Sequence, residues 1–504
     1  MLETIQQSAI SHDRYQVELK LDYELGKGSK THYRISTYLF FPKSLGITEE
    51  SYTRSDFYRE VKNYIRIKTP ILSLRDLIVS DISPLSNVQK IVSTANWYQD
   101  EELNERLIRA LKLFGAMFKS TLREHLNLVD KRTQSALTKA KIHALIENLI
   151  DEFITQSKQI SAQYRSFYAE LNLPIVKENA FLAYTLVDEY VSLLIEESAT
   201  ELFQIVSQYY KKSQKSQSLE DLNRIVEMER NHRQTHEYGS ILKPGEANEV
   251  YAFRASVLKK YVSSILHLST DAQREGQGVE QFLMAIAAGI SMIFATVVAF
   301  YFQSVYGNFT FPLFIALVVG YMFKDRIKEA GRALLATKLH AILYDRRINI
   351  KTLDGKYKLA TLREKITFIR ENELPQSVRT ARHKDPFADL DNEGMGETII
   401  CHTKDIVLDG DLFPKAFKGL PKVSGLNDII RYNIQPYLRN MADPVEVQYL
   451  LEDGDLKTVH THKVYHVNIV SRYKSISPQV EILYKRMRVV MNRQGIQRIE
   501  YISL

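Results

Sequence analysis

The chain has 504 residues, 45% hydrophobic and 25% charged, with 20 Gly and 13 Pro. That composition excludes wholesale disorder, and the length exceeds one core, so about three domains are expected. A single cysteine, Cys401, excludes an intramolecular disulfide framework and a multi-cysteine zinc site, and fits a reducing compartment. The net charge of +7 is uneven: between Lys457 and Leu504 nine Lys/Arg face two acids, Glu481 and Glu500, an excess equal to that of the whole chain. An anionic partner is expected there.

The opening stretch MLETIQQSAISHDRYQ has no basic segment followed by an apolar run, so no cleavable signal peptide is expected. Residues 1–95 read as an α+β module. RYQVELKLDY alternates with Tyr15, Val17, Leu19, Leu21 and Tyr23 on one face, and THYRISTYLFF repeats the pattern, so a β-hairpin through ELGKGSK is expected. GKGSKT lacks phosphate-loop spacing and precedes a strand, so no nucleotide site is assigned to it. After Pro42 the pattern turns helical through SYTRSDFYREVKNYIRI.

Residues 96–238 read as a helical bundle. Leu103, Leu107, Leu111, Phe114, Phe118, Leu122 and Leu126 make one stripe, and Ile142, Leu145, Leu149 and Phe153 mark a second helix. A third runs from about Lys177 to Tyr210, and a fourth covers Leu219–Gln234 after the polar loop KKSQKSQS. Short connections predict antiparallel packing.

Residues 239–347 hold an amphipathic juxtamembrane helix (Val250, Phe253, Val257, Tyr261, Ile265), the hinge STDAQREGQG, and a transmembrane hairpin. Between Glu280 and Lys324 no residue is charged. Two spans, about 282–302 and 305–323, approach the ~20 apolar residues that cross a bilayer, and QSVYGN makes the turn. Aromatic residues at the ends and small residues at i, i+4 spacing fit interfacial belts and close helix packing. Lys324, Arg326, Lys328, Arg332 and Lys338 follow the second span, which puts both termini in the cytoplasm. The sequon Asn308-Phe309-Thr310 sits in a tiny loop at the membrane surface and is discounted. No ionisable residue lies within either span, which argues against a transporter. Spacing of Ile327, Gly331, Leu335, Leu339 and Ile342 extends the second helix beyond the membrane.

Residues 348–504 read as a basic, mainly antiparallel β domain: INIKTLDGKYKLATL, ETIICHTKDIVLDG, KTVHTHKVYHVNIVSRY, EILYKRMRVVM and GIQRIEYISL are strands, with RTARHKDPFADLDNEGMGE an exposed loop and a helical piece around Leu426–Leu438. The fold class is thus a multidomain α+β integral membrane protein with a helical bundle, a two-helix hairpin and a C-terminal antiparallel domain.

Two histidine groups have ligand-like spacing. Glu229, His232 and His236 share a helix face, and Glu196, Glu197 or Glu201 could add carboxylates. His460, His462 and His466 share one face of a single strand, a face that reads as the outward, polar one. A divalent metal is the cofactor either group would suit; a solvated helix end or strand face is the simpler account. Lys463, Arg472, Lys474, Lys485, Arg486, Arg488, Arg493 and Arg498 are the anion-binding candidates, with Tyr465, Tyr473, Tyr484 and Tyr501 interleaved. No HExxH, GxSxG, paired CxxC or complete GxGxxG occurs, and the neighbours Cys401 and His402 point to opposite strand faces. The residues favour a non-enzymatic, membrane-anchored scaffold or sensor facing the cytoplasm over a membrane-anchored metal-dependent enzyme, and both over an oligomeric pore. Expected partners are the bilayer, anionic lipid headgroups or a protein, and another copy of the chain. Nucleic acid is the weaker candidate, since no nucleic-acid motif appears.

Overall fold

The computed structural model describes residues 8–26, 28–134, 139–209, 217–308, 310–382, 396–418, 420–477 and 480–502. Most of KKSQKSQS, and residues 383–395 of the expected loop RTARHKDPFADLDNEGMGE, lie outside them; its first four residues are helical and its last begins a strand. In chain order, β1 (Ser8–Asp13), β2 (Gln16–Glu24) and β3 (Lys30–Pro42) precede α1 (Arg54–Glu60) and β4 (Val61–Ile67). Then come α2 (Leu74–Val79), α3 (Pro84–Val92), α4 (Glu101–Thr133), α5 (Lys139–Ser166), α6 (Tyr168–Leu171), α7 (Glu178–Tyr209), α8 (Gln217–Thr235) and α9 (Glu249–Ser263). β5 (Ser269–Arg274) leads into α10 (Gln277–Tyr306) and α11 (Phe311–Ile342), then β6 (Arg346–Lys351), β7 (Lys358–Ile369), α12 (Gln376–Arg382) and β8 (Glu397–Asp409). The chain continues through β9 (Gly425–Asn433), β10 (Val445–Glu452), β11 (Asp455–His462), β12 (Tyr465–Ser477), β13 (Glu481–Asn492) and β14 (Gly495–Ile502).

This mixed α+β chain divides into two units: Arg66–Leu268 with Phe413–Leu426, and Met1–Ile65 with Ser269–Leu412 and Asn427–Leu504. The first is helical. Asp100 caps α4 by accepting from the backbone N–H of Glu102 (2.8 Å) and Leu103 (3.3 Å). The α4 stripe Leu107, Leu111, Phe114, Phe118 and Leu122 is buried, and Phe114, Tyr164 and Tyr184 stack in series with centroids 5.2 and 5.0 Å apart. α9 packs on the bundle: Leu258 and Val262 are buried, and a Cβ on Gly115 of α4 would come within 3.0 Å of Val262.

The second unit is a β sandwich with a helical insertion. An eight-stranded antiparallel sheet, ordered β14-β13-β12-β3-β8-β7-β6-β5, faces a smaller sheet ordered β1-β2-β9-β4. α12 and the turn before it cover the large sheet's other face through Leu374, Val378 and Ala381, packed on Tyr38, Phe40, Ile399, Cys401 and Val470.

Several local expectations change here. β2 and β3 are strands but do not form a hairpin with each other: β2 lies between β1 and β9, and β3 between β12 and β8. Their apolar faces meet across the sandwich, with the Tyr23 and Tyr33 rings 5.9 Å apart. Alternation marks a buried face in either arrangement, so it does not distinguish pairing from facing. The stretch read as helical around Leu426–Leu438 is β9 followed by a 3-10 segment, Gln435–Asn440. Ser269–Arg274, expected as part of a hinge, is the edge strand β5, paired with β6 from Ser269↔Lys351 to Arg274↔Arg346. α10 and α11 are thus inserted between two paired strands, and their bases emerge side by side.

Candidate functional site

Three features bear on function: the helical hairpin, the histidine groups and the basic strands. α10 is long and apolar enough to cross a membrane, and it alone among the described residues. Its seam with α11 is lined by small residues: Ala287, Ser291 and Ala316 are buried, and a Cβ on Gly331 would lie 3.2 Å from that of Ala287. Outside the seam large apolar side chains are exposed, from Phe282, Ile290, Ile293, Val297 and Phe300 on α10 to Phe314, Val318, Tyr321 and Met322 on α11. The second run is shorter than expected. α10 extends through Tyr306 before Gly307 breaks it at φ 74°, so Val305 and Tyr306 belong to the first helix. The uncharged part of α11, Phe311–Phe323, therefore spans about 20 Å before Lys324. The sequon includes Phe309, outside the described residues.

The bundle histidines lie in an ionic network. Glu229 accepts from Arg165 at 2.6 and 3.3 Å, and Arg165 also donates to Asp188 at 3.1 Å. His232 Nε2 is 2.8 Å from Asp188 Oδ2, and the Tyr238 hydroxyl donates to the same oxygen at 3.0 Å. Burial alone would raise the Asp188 carboxyl, but the His232 hydrogen bond and the Arg165 charge hold it below its ordinary range. The His236 ring lies against His232 at a tilt of 42°, centroids 4.2 Å apart, and its Nδ1 hydrogen-bonds the His232 carbonyl. Glu196 turns to Arg233 and to Arg230 (2.9 Å); Glu197 lies by Lys119 and Tyr251, and Glu201 is exposed.

His460, His462 and His466 are not on one strand. The chain breaks after His462, where the Lys463 amide bonds the Pro444 carbonyl. His460 and His462 lie on β11 of a separate, fully exposed two-stranded ribbon, and His466 on β12. On the ribbon His460 faces Val447 and His462 faces Val445, so their face is the apolar one, the reverse of the expectation. Among the described residues, no three or more His, Cys, Asp or Glu side chains are grouped to hold a metal.

The basic candidates sort by strand register. Arg472 and Lys474 on β12, Arg486 and Arg488 on β13 and Arg498 on β14 share the α12 face of the large sheet. Lys485 points to the opposite face, 5.9 Å from the Tyr473 ring centroid. Lys463 and Arg493 occupy connections, Arg493 paired with Asp443 at 2.9 Å. Arg486 is 7% exposed and Arg382, at the end of α12, 6%. Arg382 donates to Glu397 at 2.7 Å and lies over the Phe40 ring. Arg488 reaches Glu500 at 3.5 Å, and Arg498 reaches it at 2.7 Å. Tyr484 ties the strand to α12 by donating to Ser377 Oγ at 2.7 Å. Burial and the charges of Arg382 and Arg488 draw the Arg486 guanidinium down to about 10, so it stays charged at neutral pH. Among the described residues the Nε–H groups of Arg382, Arg472, Arg486 and Arg488 have no acceptor.

Sequence reasoning missed a buried ionic network between the two sheets. Lys404 on β8 bridges Asp428 of β9 and Glu364 of β7, the latter at 3.3 Å. Asn63 donates to Glu364 at 2.6 Å, Tyr23 to Asp428 at 3.2 Å, and His402 Nδ1 lies 3.0 Å from the Tyr432 hydroxyl. Its signal, the single charges Glu364 in TLREKITF and Lys404 in CHTKDIV at inward positions of alternating strands, is visible only once the strand faces are known. Cys401 and His402 do lie on opposite faces, Cys401 beneath α12 and His402 inside the sandwich. Burial pushes the Cys401 thiol up to about 11.

No protein family, curated protein or solved structure matches the chain.

Proposed function

We propose that the protein is a membrane-anchored scaffold or sensor, with its α10–α11 hairpin in the bilayer and the basic face of its large sheet turned to an anionic ligand or partner. The observation that carries this reading is the bare apolar exterior of the hairpin: Phe282, Ile293, Val297 and Phe300 are each at least 60% exposed. A soluble core hairpin would bury one such face. In the bilayer the small-residue seam supplies helix contact. The thirteen-residue apolar run of α11 reaches the interface with help from Lys324, whose ammonium lies over the Tyr321 ring at 4.0 Å. The pairing of β5 with β6, which keeps both bases of the hairpin together, and the basic flank of α11 support a cytoplasmic placement of that side.

Carbonate washing of membranes from cells making the full chain tests this. The wild type stays in the membrane fraction, and the pair Ile293→Asp, Val297→Asp is released, since each acid at mid-membrane costs about 2.5–3.5 kcal/mol. Wild-type protein that is monodisperse without detergent would refute the anchor.

A further inference from the structure

Arg486 is the cation that folding alone does not account for. It sits in the middle of β13, directly opposite Val470 on one side and Ile502 on the other. Its neighbours on this face are the α12 contact residues Val470 and Tyr484. It is more than nine-tenths buried, and no acceptor for its Nε–H exists among the described residues. Of the charges that act on it, Arg382 and Arg488 have its own sign and outweigh Glu397. Among the described residues the carboxylate that acts on it is Glu397, which is already bound by Arg382 at 2.7 Å. Arg472 stands diagonally across on β12, opposite Tyr484.

A buried guanidinium without an acid partner is unfavourable, and crowding it with two more makes it worse. Such an arrangement survives where an anion completes it. Arg382, Arg472, Arg486 and Arg488 are set against two carboxylates, Glu397 and Glu500, and Glu500 is shared with exposed Arg498. Among the described residues the set therefore has two positive charges in excess. Several guanidiniums on one face of the sheet offer more donors than the two oxygens of a carboxylate accept, whereas a phosphate offers three oxygens and carries close to two negative charges at neutral pH.

We infer that Arg486, with Arg382, Arg472 and Arg488, forms a binding site for a phosphate monoester, either a soluble phosphorylated molecule or the headgroup of an anionic lipid. The site lies between the end of α12 and strands β12 and β13. This inference rests on the reading of the basic face as ligand-binding and is independent of the hairpin.

The test uses the full chain in an uncharged detergent, with ionic strength held constant by chloride. One arm titrates glycerol 3-phosphate against the thermal midpoint and by calorimetry. The other measures binding of chain reconstituted in phosphatidylcholine nanodiscs to phosphatidylcholine vesicles with and without phosphatidate. A saturable response is expected in at least one arm, and the responding arm identifies the source of the phosphate. Arg486→Met should weaken it at least about tenfold, in line with loss of a charge-assisted hydrogen bond. The same variant should raise the midpoint of the unliganded protein, because it removes a buried unpaired charge. Arg493→Ala, at its turn, should change neither. Absence of a saturable response in both arms overturns the inference, as does an Arg486→Met protein that binds like the wild type or is destabilised when unliganded. Binding in the soluble arm by a chain that carbonate strips from membranes would sink the anchor and leave the site standing.

Discussion

Replacing Lys404 by Met removes the cation between Glu364 and Asp428 and leaves two carboxylates facing each other inside the sandwich. Lys404 is 1% exposed and both acids are fully buried. Burial alone would raise the Glu364 carboxyl, but Lys404 foremost, with His402 and Arg346, holds it far below the usual carboxylate range. Breaking a buried pair from one side costs about 3–5 kcal/mol. The folded value lies below the unfolded value of about 4.3, so this contribution is complete above that pH and is lost as pH falls through the lowered folded value. In the variant Glu364 loses the charge that chiefly keeps it ionised and takes up a proton as pH falls, so the deficit should be largest near pH 8 and shrink toward pH 5. Cys401, the single cysteine, is 6% exposed and lies in the same unit, which makes its alkylation a reporter of opening there. Trp97, the single tryptophan, is buried in the other unit and serves as the control. Lys404→Met should speed Cys401 alkylation under native conditions at least about a hundredfold at pH 8, the equivalent of roughly 3 kcal/mol. The Trp97 unfolding midpoint should stay in place. A change under about tenfold, or a deficit independent of pH, would refute the reasoning.

Arg165→Ala strands the buried Glu229 carboxylate and leaves Asp188 to His232 and Tyr238, so it should destabilise the helical unit by about 3–5 kcal/mol, read as a lower denaturant midpoint of Trp97 fluorescence with Cys401 protection retained. Gly495 adopts φ 121°, and a Cβ there would run into the Arg14 carbonyl oxygen, which accepts from Ile496 at 2.7 Å. Gly495→Ala should therefore cost about 1–3 kcal/mol and accelerate Cys401 labelling, whereas Gln494→Ala next to it should not. Because Arg165 holds Glu229 and Asp188 holds His232, elemental analysis of the purified chain should find the same metal content in wild type, His232→Ala and His460→Ala. Stoichiometric metal lost in either variant would reverse that assignment.

Much of the secondary structure was legible because it follows from period alone. The stripes of α4, α5, α7 and α8 and the alternation of β2, β3, β13 and β14 each record one buried face. Which face meets which was not legible. Val17–Tyr23 and Tyr33–Phe41 alternate alike whether they pair in one sheet or oppose each other across two, and only the pairing of β3 with β8 and β12 decides it. The break after His462 was missed because KTVHTHKVYHV keeps an even rhythm through Lys463 and Val464, where the chain leaves one sheet for another. The run Phe282–Phe323 was legible as apolar, but the place of the helix break within it shifted the second run. The basic residues were found by composition. Their sorting into Arg472, Arg486 and Arg488 on one face and Lys485 on the other needed the register of β12 with β13.

The most direct test of the anchor is depth. A fluorophore on Ile290→Cys in a Cys401→Ser background, with the chain in bilayers of lipids brominated at different acyl positions, reports where the middle of α10 sits. The account predicts strongest quenching by bromines deep in the acyl chain and none by aqueous iodide. Iodide quenching without an effect of bromine would place Ile290 in water, and the hairpin would not be a membrane element.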